Sequence, residues 1–167
     1  MLKIFRTSRQ LDIRKLSEIY KESIQLSGRE NYRHLSSCEQ LSEAEKDFYD
    51  YWQYRFFTVS NAACAVWEVS GEFVAAVRLE PYNGGLLLAG LETAPQHRRK
   101  GYGKMLVKSV TQELLTEDRT VLYAHIHKKN IASLCLHKSC GFTESLAYAV
   151  FLDGSVSYHY STYFLKK

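Results

Sequence analysis

Proline is nearly missing from this chain: two occur in 167 residues, Pro81 and Pro95, and both fall where strands are expected to end. No internal repeat, low-complexity tract or linker interrupts the sequence. The expectation is one globular domain over residues 1–167, long enough to bury a real core. Cysteine is sparse, and Cys38, Cys64, Cys135 and Cys140 form no CxxC pair, so no zinc site is expected. In a reducing cytosol these are free thiols, mostly buried as small apolar side chains. No apolar run approaches the ~20 residues of a membrane span. The opening "MLKIFRTSRQ" lacks the apolar core of a signal peptide. A cytoplasmic protein without a membrane partner is the expectation. Excess charge is also missing. The 22 Lys and Arg against 18 Asp and Glu leave +4, which suits an anionic ligand but does not imply nucleic acid.

What is present is a clear change of periodicity along the chain. "LKIFR" reads as a strand over 2–6. Thr7 and Gln10 have capping-box spacing and could open the next helix, with Asp12 suited to its dipole. Ile13, Leu16, Tyr20 and Ile24 recur at helical intervals, and the helix is expected to stop near Gly28. A second helical region covers about 37–57, with another capping box at Ser42 and Glu45. Its end, "DFYDYWQYRFF", is chiefly core, and part of it is available to wall a pocket. "AACAVWEV" and "FVAAVRLE" flank Ser70-Gly71, a hairpin signal, and "LLLAGLET" follows the turn Asn83-Gly84-Gly85. Then come a helix over 102–117, a strand over 121–127, and a helix over 131–140 that ends at Gly141. Two last strands are expected to flank Asp153-Gly154. The order is β-α-α-β-β-β-α-β-α-β-β. The strands at 86–93 and 121–127 should run parallel, joined by a crossover helix.

The stretch "QHRRKGYGKML" gathers Arg98, Arg99, Lys100 and Lys104 around Gly101 and Gly103 at a strand-to-helix turn. The first amides of a helix lack internal partners, and the helix dipole places positive potential there. Glycine removes the Cβ atoms that would keep a ligand off the backbone. The turn is therefore either a solvated basic loop or a cradle for a diphosphate. Neither the P-loop pattern GxxxxGK[ST] nor a dinucleotide GxGxxG after a first strand fits.

Arg98-Arg99-Lys100-Gly101-Tyr102-Gly103 matches R-x-x-G-x-G, and so resembles the acyl-CoA pyrophosphate signature of the GNAT superfamily of N-acyltransferases. "NIASLCLHKSCGF" resembles a second pattern of that family, with Asn130, Ser133, Leu136, Lys138, Gly141 and Phe142 in matching places. The resemblance implies an α/β (α+β) fold: a mixed, mostly antiparallel sheet of about seven strands with helices on both faces. It implies acetyl-CoA as co-substrate. The diphosphate would sit on the amides of residues 99–104, including Tyr102, and the pantetheine arm would pair with backbone near Leu91 and Thr93. Asn130 and Ser133 would also line the coenzyme site. The amine would attack the thioester directly.

Glu92, in an otherwise apolar strand next to the motif, is the candidate base, acting through water, although it could instead pair with a cation or reach solvent at the strand end. Many family members carry tyrosine where this chain has His137. That tyrosine is usually assigned as the acid that protonates the departing thiolate. His137 could give that proton, or water could. Of His125 and His127, on one strand face, one is expected to pack and one to line the cleft; a metal is not expected. Lys128 and Lys129 either reach the nucleotide's phosphates or are solvated. Tyr158, Tyr160 and Phe164 either line the acceptor pocket or form a homodimer interface. The acceptor is a small-molecule or peptide amine that the sequence does not specify. Two rivals stand beside this reading. One is a non-catalytic acyl-CoA-binding module on the same fold. The other is a nucleic-acid-binding module, which the interspersed acids argue against.

Overall fold

The computed structural model describes residues 1–115 and 120–166. Strand β1 (Leu2–Phe5) leads into a short 3-10 turn at Ser8–Gln10. Asp12, rather than Thr7, caps α1 (Ile13–Ile19), its carboxylate accepting from the Lys15 N–H at 3.1 Å. Leu11 explains the shift: it is buried in extended conformation, so the helix can start only after it. The chain breaks at Tyr20 and resumes as α2 (Lys21–Asn31). Gly28 does not end this helix. It lies against the next one, where a Cβ would stand 2.6 Å from the Gln40 carbonyl oxygen.

Helix α3 (Ser37–Asp50) is opened by the capping box Ser36–Glu39, not by Ser42–Glu45, which lie inside it. It continues through a widened π turn at Tyr51–Arg55 and a 3-10 turn at Phe56–Thr58. These changes of pitch let neighbouring aromatics face inward, and Trp52 and Phe56 are both buried.

Strands β2 (Ala63–Val69), β3 (Glu72–Tyr82) and β4 (Gly85–Thr93) form an antiparallel meander. Its turns, Ser70-Gly71 and Asn83-Gly84, have positive φ at all four residues, the conformation that matches strand twist in a two-residue hairpin. Then follow α4 (Tyr102–Leu114), β5 (Val121–His127), α5 (Ile131–Ser139) and β6 (Thr143–Leu146). Of the helix expected over 102–117, residues 116 and 117 lie outside the described residues. The last strands differ from expectation. Only a two-stranded ribbon, β7 (Ala149–Val150) with β8 (Val156–Ser157), flanks Asp153-Gly154. Strand β9 (Tyr160–Lys166) returns to the main sheet, and Tyr158 falls outside it.

The main sheet has seven strands in the order β1-β2-β3-β4-β5-β9-β6. Among the described residues only β4 and β5 pair in parallel. Alternation along β2 and β3 sends Cys64, Val66 and Ala76 toward α1–α3, and Ala65, Ala75, Val77 and Leu79 toward α4 and α5. Helices thus cover both faces. No helix among the described residues is long and apolar enough to cross a membrane.

One irregularity shapes the rest. Strands β4 and β5 pair only at Leu86–Leu122 and Leu87–Tyr123 and then diverge. Where they diverge, β4 bulges. Its register on β3 jumps from Ala76–Glu92 to Arg78–Ala89, leaving Gly90 and Leu91 opposite Val77. Gly90 has φ +61°, a conformation glycine adopts without strain. A bulge bends its strand, and here it opens a gap between β4 and β5.

Candidate active site

Three of the longer elements start on a side-chain cap: Asp12 for α1, Ser36 for α3 and Asn130 for α5. Helix α4 does not. Gly101 sits at its N-cap with φ +83° and supplies no side chain. The first internal backbone bond is Met105 N–H to the Gly101 carbonyl, so the preceding amides at the helix start are free for an anion. Gly103 brings this helix start close to the sheet: a Cβ there would lie 3.2 Å from Thr93 Oγ1 and 3.3 Å from Leu136 Cδ1.

These residues border a cleft of about 880 Å³ that runs from Gly90, Leu91, Glu92 and Thr93 to the α4 and α5 starts. Arg98, Arg99, Gly101, Tyr102, Gly103 and Lys104 line it, as do Asn130 and Ser133, while Lys100 is exposed outside it. Arg98 is pinned: Nε donates to the Thr93 carbonyl at 3.2 Å, and Nη2 lies 2.7 Å from Glu22. The Asn130 side chain accepts from the Ser133 N–H at 3.1 Å, which fixes the α5 start beside the cleft. The shape and chemistry fit a coenzyme with a diphosphate.

Arg99 holds φ +63°, a left-handed conformation that costs a non-glycine residue roughly 1–2 kcal/mol. Glycine would relieve that strain but return some entropy to the unfolded chain. Arg99→Gly should therefore raise ligand-free stability by about 0.5–1 kcal/mol. Urea unfolding checks this; an unchanged or lower midpoint would count against the strain.

Tyr20, expected only as part of the helical repeat with Ile13, Leu16 and Ile24, has a specific task. Its hydroxyl donates to the Gly90 carbonyl at 2.7 Å. No cis peptide occurs among the described residues. Across a trans peptide the next N–H points opposite to the carbonyl. The Leu91 N–H is therefore directed away from Tyr20, and Leu91 lines the gap between β4 and β5. Tyr20 stands 70 residues from Gly90, so no local pattern could announce the contact.

Glu92 borders both the cleft and a second chamber of about 320 Å³ beneath α2 and α3. Tyr20, Ser23, Asp47, Phe48, Tyr51 and Trp52 contribute to that chamber. Part of the aromatic cluster thus packs, as Phe56 does, and part walls a pocket. The Ser23 hydroxyl donates to Glu92 Oε1 at 2.6 Å. Burial pushes the Glu92 carboxyl above its ordinary value, partly offset by that bond and by the Arg98 charge.

His137 is 2% exposed and borders the β4–β5 gap with Gly90, Leu91, Asn130 and Ser133. Its Nδ1 lies 2.9 Å from the Ser133 carbonyl oxygen. A carbonyl only accepts, so Nδ1 carries the proton and the neutral ring presents a lone pair at Nε2. Nε2 is buried without a partner among the described residues. Burial lowers the pKa of this ring, and the Ser133 bond opposes that. His125 and His127 project along one strand face. His125 packs against Tyr82 and Phe151, and His127 stacks on His159; both also border the gap.

A family model described as "Acetyltransferase (GNAT) family" matches residues 29–142. The chain belongs to the GNAT acetyltransferase family. The match takes in the bulged strand, the uncapped helix and α5, the parts from which the cleft is built. Solved structures agree on the GNAT fold. A spermidine N-acetyltransferase SpeG chimera from Vibrio cholerae and hSSAT is similar at TM-score 0.63 and 18% identity, covering 99% of this chain and 94% of its own. The PaiA N-acetyltransferase of Thermoplasma acidophilum, in complex with coenzyme A, has TM-score 0.62 and 14% identity, covering 100% and 99%. A ribosomal-protein-alanine N-acetyltransferase from Brucella melitensis has TM-score 0.59 and 22% identity, covering 100% and 98%. Among curated proteins, none matches the sequence. At these identities the structural likeness is one of fold, so residue roles in this GNAT chain rest on its own geometry.

Proposed function

We propose that the chain transfers an acetyl group from acetyl-CoA to a primary amine, by direct attack while both are bound. The observation that carries this reading is the cleft itself. An uncapped helix start borders it at one end, and a half-buried carboxylate joins it to an aromatic chamber at the other. The amides at the start of α4 hold the diphosphate, with Arg99 and Lys104 adding attraction. Backbone of β4 at Leu91 and Thr93 aligns the pantetheine arm. The Leu91 N–H faces the thioester oxygen and stabilises the charge that builds there.

Glu92 receives the proton of the incoming ammonium through water, because an ammonium has no lone pair with which to attack. A carbon–nitrogen bond then forms and the carbon–sulfur bond breaks. The departing sulfur needs a proton. His137 supplies it only as the imidazolium, since neutral His137 shows Nε2 a lone pair rather than a proton. Its share should therefore fade as pH rises through a pKa below the ordinary 6.5, and water does the work above. In His137→Phe the rate relative to wild type should be lowest at acidic pH and approach one above neutrality. A ratio that does not change with pH would remove His137 from the proton path.

Release of free thiol from acetyl-CoA across a panel of amines tests the function. Amine-dependent release supports acetyl transfer. Tight CoA binding with no release for any amine supports the non-catalytic binding module.

A further inference from the structure

Arg78 lines the chamber that holds Glu92, and the reaction above does not use it. It stands on β3 beside the bulge, and its guanidinium lies against Gly90: a Cβ there would be 3.5–3.7 Å from Nε, Cζ and Nη2. Nη1 donates to the Tyr51 hydroxyl at 3.0 Å. Nε stands 3.0 Å from Glu80 Oε1 but off the line of a hydrogen bond, so the charges attract while both atoms keep bonding capacity. Nη2 donates to no group among the described residues. A half-buried guanidinium whose fork stays partly open is costly to keep.

Two chambers meet at this fork. Arg78 and Gly90 belong to the chamber that holds Glu92 and to another of about 500 Å³ across the bulge. The second is lined by Leu87, Leu88, His125 and Phe151, and by the acids Glu80 and Asp153. Both ring nitrogens of His125 are buried there without partners among the described residues.

We infer that the acceptor is a free amino acid, whose carboxylate lies on the Arg78 fork while its amine faces Glu92. This rests on the acetyl-transfer reading and narrows it. The planar fork matches the two oxygens of a carboxylate, which a single ammonium could not do. The amine and the carboxylate of one small molecule then meet charges of opposite sign across one chamber. The side chain has the second chamber, where Leu87, Leu88, Phe151 and His125 meet the acids Glu80 and Asp153. A di- or polyamine would instead place a second cation beside Arg78.

The test compares acceptors that differ only in the carboxylate: phenylalanine with phenethylamine, and lysine with 1,5-diaminopentane. Thiol release should give each amino acid a kcat/KM about 10- to 100-fold above its partner amine. In Arg78→Gln that ratio should fall to near one, and in Arg78→Lys to an intermediate value, because the charge remains and the fork is lost. Calorimetric CoA binding serves as the folding control. If Arg78→Gln does not fold, Tyr51→Phe frees Nη1 and should lower the ratio by a smaller factor.

A preference for the plain amines, or a ratio that survives in the Arg78 variants, overturns the inference and leaves acetyl transfer standing. A second arm separates the two claims. Phenylalanine should raise the melting temperature of the CoA-saturated wild type but not of Arg78→Gln. Protection without any turnover would sink acetyl transfer and keep the amino-acid site. Neither protection nor turnover would sink both.

Discussion

Replacing Glu92 by glutamine should lower kcat/KM about 100-fold for an alkyl amine near neutral pH. Such an amine has a pKa of about 10 and arrives almost wholly as ammonium, so something must take its proton. Glu92 lies between the coenzyme cleft and the aromatic chamber, and burial has raised its pKa toward the range useful to a base. Glutamine keeps the shape and still accepts from Ser23, so the loss reports on the proton alone. It should shrink as pH approaches the amine's own pKa, where the free amine forms unaided.

The same variant carries a sign test on stability. A carboxyl whose pKa is raised by folding favours the folded state at low pH. That contribution is lost as pH rises through the folded pKa. Near neutral pH the ionised Glu92 is therefore a burden, and Glu92→Gln should unfold at higher urea than wild type. Lower activity with higher stability is the signature of a site held against the fold's preference. A pH–rate profile of unchanged shape would remove Glu92 as the base.

Gly101→Val should weaken CoA binding about 100-fold or more. A β-branched residue is a genuine outlier at the φ of +83° held by Gly101. The loop must either bear that strain or move, and moving it turns the amides that follow. A hydrogen bond to a charged group is worth about 1.5–3 kcal/mol, so losing one or two gives roughly 10²- to 10⁴-fold. The fold itself should survive, because α4 is held through Leu106, Val107 and Val110, all fully buried. Calorimetric titration with CoA and a far-ultraviolet circular dichroism spectrum read the two effects apart. Wild-type affinity in Gly101→Val would mean that the diphosphate does not depend on this backbone.

Much of this arrangement was legible because it is local. The hairpins at Ser70-Gly71 and Asn83-Gly84 follow from residues that tolerate positive φ. The uncapped start of α4 follows from glycines at a strand-to-helix junction. The helix starts were less legible. The spacing S-x-x-E occurs at Ser36–Glu39 and again at Ser42–Glu45, and the chain's entry into α3 decides between them. The insertion of β9 between β5 and β6 is a long-range pairing, so turn chemistry at Asp153-Gly154 pointed only to the small ribbon. The chamber beside Gly90 was hidden for the same reason. Tyr20 reaches Gly90 from α1–α2, and Arg78 reaches it across the sheet, and each reads as ordinary in its own element.

The account depends most on main-chain amides gripping a diphosphate, and backbone nuclear magnetic resonance observes those amides directly. Titrating CoA into nitrogen-15-labelled protein should shift the resonances of residues 99 to 104 more than those of any other loop. Pantetheine, which has no diphosphate, should leave them in place. If CoA binds and those amides do not move, the coenzyme lies elsewhere and the mechanism built on this loop is wrong.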